Sequence, residues 1–244
     1  MKFAVVIPAY NEAATIRDVV ERALLQCPHV IVVDDGSTDG TAECLGGLAA
    51  TVLCHHSNQG KGASIWSGIQ QALTTGAEAV ITLDGDGQHR PEDIPRLIAK
   101  ATDYPGLIVI GSRMAQWAEF PPRRLFANRV ANFGISWAAG YRIEDSQSGM
   151  RLYPSTLVQT IDLPRDRAHG FVFESEILIE AARRGVYSVP VPIDAIYSVN
   201  ARASHFRNVI DVVRIARMVG WKLLSRALYL QGFIQAFLRR ARYS

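Results

Sequence analysis

Long apolar runs are missing from this sequence. No stretch approaches the ~18–20 apolar residues that a membrane span needs, and Phe3-Ala-Val-Val-Ile-Pro8 is too short for the core of a signal peptide. Cysteine is scarce. Cys27, Cys44 and Cys54 show neither paired nor metal-ligand spacing, which excludes a disulfide framework and fits a reducing compartment. Heptads, collagen-like bias, internal repeats and low-complexity tracts are absent too, so fibrous architectures are excluded. Disorder is excluded by what is present: 48% of the 244 residues are hydrophobic, enough for a sizeable core. The expectation is a cytoplasmic protein, at most peripheral on the cytoplasmic face of a membrane.

The net charge of +3 conceals a division. Up to Val199 there are 17 basic and 22 acidic residues, whereas from Asn200 onward nine basic residues face the single acid Asp211. A basic tail of this kind points to an anionic partner. The chain reads as one domain over residues 1–205 followed by a basic, amphipathic helical appendage over 206–244.

The first hundred residues alternate between short apolar runs and helical periodicity. Phe3 to Ile7 is a run ended by Pro8, and Ile16, Val19, Val20, Ala23 and Leu24 follow at helical spacing behind Asn11 as a cap. Val30–Val33, Thr51–Cys54, Ala79–Leu83 and Leu107–Ile110 are further strand-like runs, with a helix from about Gly62 to Leu73. This rotation predicts βαβ units, hence an α/β fold with a mostly parallel sheet. Polar residues stand after successive strands: Tyr10, Asn11 and Glu12; Asp34 and Asp35; Asn58 and Lys61; Asp84 and Asp86. Each alone is compatible with turn chemistry. Together they predict one ligand site at the carboxyl edge of the sheet.

Asp84-Gly85-Asp86 is the sharpest feature. Two carboxylates one residue apart at a strand end can hold Mg²⁺ or Mn²⁺, whose remaining ligands come from water and phosphate oxygens. The pair therefore predicts a phosphorylated ligand, with Gln88 and His89 within reach. An EF-hand fails because Gln88 and His89 stand where Asp or Asn and Gly are required. A haloacid-dehalogenase-type phosphatase fits poorly, since Gln88 stands where Thr or Val is usual and the motif follows the fourth strand. Asn58-Gln59-Gly60-Lys61-Gly62 opens a helix and suits an anion. It is not a P-loop, and no dinucleotide-binding glycine fingerprint follows the first strand.

Val5 to Glu12, Val32 to Gly40 and Leu83 to His89, in that order and spacing, resemble a family 2 glycosyltransferase, and within it the polyprenyl-phosphate branch of dolichol-phosphate mannosyl- and glucosyltransferases. The resemblance covers roughly residues 3 to 210. It implies a GT-A fold and inverting transfer of a sugar from a UDP- or GDP-sugar. Pro8, Tyr10, Glu12, Val33 and Asp35 match positions that hold base and ribose. Asp84 and Asp86 match the Asp-x-Asp motif that meets the diphosphate through the metal, and Gln88 a further metal ligand. Arg113 and Arg123 match contacts to the acceptor phosphate, although Ala127 replaces a serine of that pattern. Glu144 to Arg151 resembles the family's Asp-x-x-Ser-Gly-Phe segment, and Glu174 and Glu176 its acidic helix. Arg202 to Phe206 resembles a loop closing over the donor, in which Arg202 and His205 supply positive charge.

A polyprenyl phosphate is already an anionic nucleophile and needs no base. A hydroxyl acceptor would need one, and Asp145 is the candidate. The carboxylate pair is also compatible with a metal-dependent phosphatase or with a sugar-nucleotide-binding protein without turnover. The tail, with Arg207, Arg214 and Arg217 on one face and Trp221, Phe233 and Phe237 before Arg239, Arg240 and Arg242, suits an anionic membrane surface. Packing of the tail on the domain is the alternative reading, and nucleic acid is not expected.

Overall fold

The computed structural model describes residues 1–114, 122–163, 172–194 and 208–238. Its strands are β1 (Phe3–Ala9), β2 (Val30–Asp34), β3 (Thr51–Cys54), β4 (Ala79–Thr82), β5 (Ile108–Ser112), β6 (Arg151–Pro154) and β7 (Ser188–Pro192). They form one sheet in the order β3-β2-β1-β4-β6-β5-β7. Strands β1 to β4 pair in parallel, as do β5 and β7. Strand β6 runs antiparallel between β4 and β5.

The helices are α1 (Ile16–Gln26), α2 (Lys61–Thr74), α3 (Ile94–Asp103), α4 (Pro122–Ala139), the single turn α5 (Ser155–Val158), α6 (Phe173–Arg183), α7 (Asn208–Leu224) and α8 (Leu230–Leu238). They cover both faces because side chains alternate along each strand. Val5 and Ile7 join Ile16, Val19 and Val20 of α1 and Ile94 and Leu97 of α3 in one core. Ala4 and Val6 join Ile65 and Ile69 of α2, Ile135 of α4 and Ile177 of α6 in the other.

Two local expectations change. Pro8 does not end β1 but pairs with Val33 inside it. Pairing with β4 stops at Val6, and the Pro8 nitrogen is turned to that side, so its missing N–H leaves no bond unmade. Asn11 is not the cap of α1, which begins after Thr15. Asn11 instead adopts φ 55°, and its side chain accepts the Thr38 N–H at 2.9 Å, tying the first strand end to the second. Finally, α3 and β6 carried no clear signal; Arg151-Leu-Tyr-Pro154 is short, begins with a charge and ends in proline.

The C-terminal helices lie against the rest of the fold. Ile215, Val219 and Leu223 of α7 belong to the same buried core as α4 and α6, and Lys222 Nζ sits 2.7 Å from both Glu176 and Glu180 of α6. Helix α8 meets α4 through Phe133, Trp137, Phe233 and Phe237. Trp137 also donates its indole N–H to the carbonyls of Leu228 and Tyr229. Arg217, Val213 and Ala216 are exposed, while Arg207, the Asp211 side chain and Arg239 to Arg242 lie outside the described residues. No helix among the described residues is long and apolar enough to cross a membrane.

Candidate active site

The strand ends converge as the alternation predicted, and β6 adds to them. Because β6 runs backward, its first residue, Arg151, pairs with Thr82 at the carboxyl end of β4. The segment before it, residues 145–150, is thereby delivered beside Asp84. Thr82 donates its hydroxyl to the Gly149 carbonyl at 2.8 Å. A Cβ on Gly149 would lie only 2.3 Å from Asp84 Oδ2, so only glycine lets this segment lie against that carboxylate.

Asp84 is held by charge as well as by shape. Its Oδ1 lies 2.7 Å from Lys61 Nζ, which also reaches Glu174 Oε2 at 3.1 Å. Burial pushes the Asp84 carboxyl upward, but the adjacent ammonium outweighs it and holds the group below its ordinary range. Lys61 itself is held above the ordinary lysine range, burial being outweighed by Asp84 and Glu174. Asp86 has no ion pair among the described residues, and Lys61 and Arg113 act on it only from a distance. Burial, and then the charge of Asp84, push it up to about 6. Two carboxylates that destabilise each other in a recess are a fitting pair for a hard divalent cation. Among the described residues no three His, Cys, Asp or Glu side chains form a metal cage, so a cation here would keep coordination positions for other oxygens. Gln88 donates its backbone N–H to Asp86 Oδ1 at 2.9 Å. His89 is buried, pushed down to about 4 chiefly by that burial, and neither ring nitrogen has a hydrogen-bond partner.

On the β2 side, Asp35 is buried and accepts the Gln59 and Gly60 N–H groups at 2.9 and 2.7 Å, with His55 Nδ1 at 2.7 Å. It fixes the loop that starts α2 and thereby aims Lys61. His55 also contacts the Ser67 hydroxyl at 3.0 Å and was not singled out in the sequence, where a histidine after a strand carries no distinct signal. Pro8, Tyr10 and Glu12 line the end of β1, Glu12 donating its N–H to Thr41 Oγ1. Val33 differs: it is completely buried with its side chain in the core, which leaves only its main chain for a ligand.

Arg113 and Asp145 form one unit. Nε and Nη2 of Arg113 donate to the two carboxylate oxygens at 2.9 Å each, and the Arg113 backbone N–H adds a third bond at 3.1 Å. Despite burial, the guanidinium holds Asp145 below the ordinary carboxylate range. Asn132 of α4 fixes the same segment, accepting from Ser146 N and Oγ and donating to the Glu144 carbonyl. Arg151, fully buried, ties it to α6 by donating to the carbonyls of Ser146, Ser148 and Glu174. Nothing in the sequence distinguishes that arginine from a solvated one. The Arg123 side chain, Arg202 and His205 lie outside the described residues.

Residues 4–160 match the profile described as Glycosyl transferase family 2. The chain belongs to this family. Polyprenol monophosphomannose synthase of Mycolicibacterium smegmatis is 34% identical over 200 residues, 78% of this chain and 75% of that protein. UDP-N-acetylglucosamine–dolichyl-phosphate N-acetylglucosaminyltransferase of Methanococcus voltae is 31% identical over 248 residues, 93% and 94% of the two chains. Among solved structures, glucosyl-3-phosphoglycerate synthase of Mycobacterium tuberculosis, in complex with Mn²⁺, UDP-glucose and glycerol 3-phosphate, superposes with a TM-score of 0.63 at 23% identity, over 92% of this chain and 79% of the other. The fold of this family 2 glycosyltransferase is thus the GT-A arrangement.

Proposed function

We propose that this glycosyltransferase moves a sugar from a nucleotide-diphosphate donor to a polyprenyl phosphate, with inversion, at a membrane surface. The observation that carries the reading is the Asp84–Asp86 pair, set beside Lys61 and at the same sheet edge as the Arg113–Asp145 ion pair. Pro8, Tyr10, Glu12, the Val33 main chain and Asp35 take the nucleoside, and Lys61 meets the diphosphate. Asp84, Asp86 and Gln88 would hold Mg²⁺ or Mn²⁺, which would supply Lewis-acid compensation for the charge on a departing diphosphate. The names of the relatives support a lipid-phosphate acceptor, and the Mn²⁺ and UDP-glucose in the solved structure support the donor side.

An acceptor phosphate oxygen attacks the anomeric carbon as the bond to the diphosphate oxygen breaks, and the nucleoside diphosphate leaves. No proton has to be removed. Asp145 favours this reading over a hydroxyl acceptor, because a carboxylate gripped by a guanidinium is a poor base. Arg123 and the segment of Arg202 and His205 supply the positive charge that meets phosphate, and Arg113, its charge shared with Asp145, contributes guanidinium geometry at the same edge. Membrane contact has its support in exposed Phe126 and Phe133 of α4 and Leu230, Ile234 and Phe237 of α8, shortly before Arg239, Arg240 and Arg242. The face taken in this reading is the cytoplasmic one, with the three free cysteines, which fit a reducing compartment, as its support.

Thermal shift with UDP-, GDP- and their sugar forms, with and without Mn²⁺, identifies the donor. Transfer to undecaprenyl phosphate is then compared with transfer to undecaprenol. Turnover confined to the phosphate is the expected result, while preference for the alcohol would return Asp145 to the role of base. Sedimentation with anionic liposomes, lost on Phe126→Ser and Phe237→Ser substitution, tests the surface.

A further inference from the structure

Among the described residues, the carboxylates of Asp84, Asp86 and Glu174 outnumber the lysine and arginine groups paired with them. Among the described residues Lys61 is the lysine or arginine paired with Asp84 and Glu174, Asp86 has no ion pair, and the Arg113 guanidinium is engaged with Asp145 through two side-chain bonds. Lys61 Nζ takes Asp84 Oδ1 at 2.7 Å. Gly149 lies against both oxygens of that carboxylate, and Oδ2 faces the buried His89 Nδ1 at 3.7 Å. A cation shared between Asp84 and Asp86 would therefore meet Lys61 at the same carboxylate. Glu174 has a second acceptor ready: its Oε1 is buried and has no hydrogen-bond partner among the described residues.

We infer that Lys61 is a built-in counter-cation which occupies Asp84 until a divalent metal binds, and then moves onto Glu174 and the donor diphosphate. The inference rests on the metal reading above and goes beyond it by making Lys61 and the metal competitors for one carboxylate. The charges then balance. A divalent cation compensates Asp84 and Asp86, while the released ammonium compensates Glu174 until phosphate arrives. Lys61 keeps the metal-free pocket from holding unpaired buried charge, and it makes metal binding without nucleotide weak. Glu174, standing on α6 and not on a metal-bearing loop, acts as a positioning residue by giving Lys61 somewhere to go.

The test is Mn²⁺ binding, followed by electron paramagnetic resonance without nucleotide, in wild type, Lys61→Gln, Glu174→Gln and the double variant. Lys61→Gln should tighten binding and Glu174→Gln weaken it, each about tenfold. Simple field effects would have the same signs, so the double variant decides. If Glu174 acts through Lys61, its substitution should change affinity less than about twofold in the Lys61→Gln background. An equal loss in both backgrounds would overturn the inference. Should the Lys61 variant not fold, the wild type still answers. The Lys61 side-chain ¹⁵N resonance, assigned with Lys61→Arg, must shift as Mg²⁺ saturates the protein, and an unmoved resonance refutes the exchange. If the wild type binds neither ion, the metal reading itself fails and this inference with it.

Discussion

Gly149 lies against the carboxylate of Asp84, closer than any side chain could. A methyl group there would sit 2.3 Å from Oδ2 and 2.7 Å from Oδ1, and Asp84 cannot swing freely because Lys61 grips it. Gly149→Ala should therefore leave a folded protein, destabilised by about 1–2 kcal/mol, whose Mn²⁺-dependent nucleotide binding drops at least about tenfold. Calorimetric titration checks this, and unchanged affinity would mean that Asp84 is not part of the donor site.

Asp86 makes the site sensitive to pH. Its folded-state value of about 6, set by burial and then by Asp84, is above that of the unfolded chain. The contribution of its retained proton is complete at low pH and is lost as pH rises through about 6. A metal needs the ionised form. The Mn²⁺-induced rise in Tm should accordingly be larger at pH 7.5 than at pH 5. Equal rises at both would show that Asp86 does not bind the ion.

The Arg113–Asp145 pair is buried and three-bonded, so removing either partner strands a charge. Asp145→Ala should lower unfolding free energy by about 3–5 kcal/mol in urea titrations. Arg113→Lys, which keeps the charge and loses the fork, should cost about half as much. Both should raise KM for the lipid phosphate more than for the donor sugar, as expected if the pair serves the acceptor half of the site.

Helix α2 approaches β1 so closely that a Cβ on Gly68 would lie 2.3 Å from Val6 Cγ1. Gly68→Ala should destabilise by about 1–3 kcal/mol through overpacking, with nucleotide affinity altered less than about twofold because Lys61 stands two turns away. Loss of binding without loss of stability would contradict this separation of core from site.

Much of the site was readable because its parts are local. Asp84-Gly-Asp86, Asp35 after β2 and Lys61 opening α2 each sit where a strand stops, and strand ends are marked by short apolar runs and turn residues. Other parts gave no local signal. Strand β6 has four residues and a charged first position, so nothing in its own sequence announced a place inside the sheet. Asn11 looked like a helix cap, since Asn serves there as often as in the left-handed turn it adopts. Val33 stood in the right motif but points into the core.

The sequence by itself determined the alternation of the first strands and helices, the sheet edge that carries the polar residues, and the pair of carboxylates. These follow from side-chain periodicity and turn chemistry, which act over a few residues. Only the tertiary structure decided which charges meet: Lys61 with Glu174, Arg113 with Asp145, Gly149 against Asp84. A buried charge must find its opposite wherever the chain brings it, and here the reversed strand between β4 and β5 makes that choice.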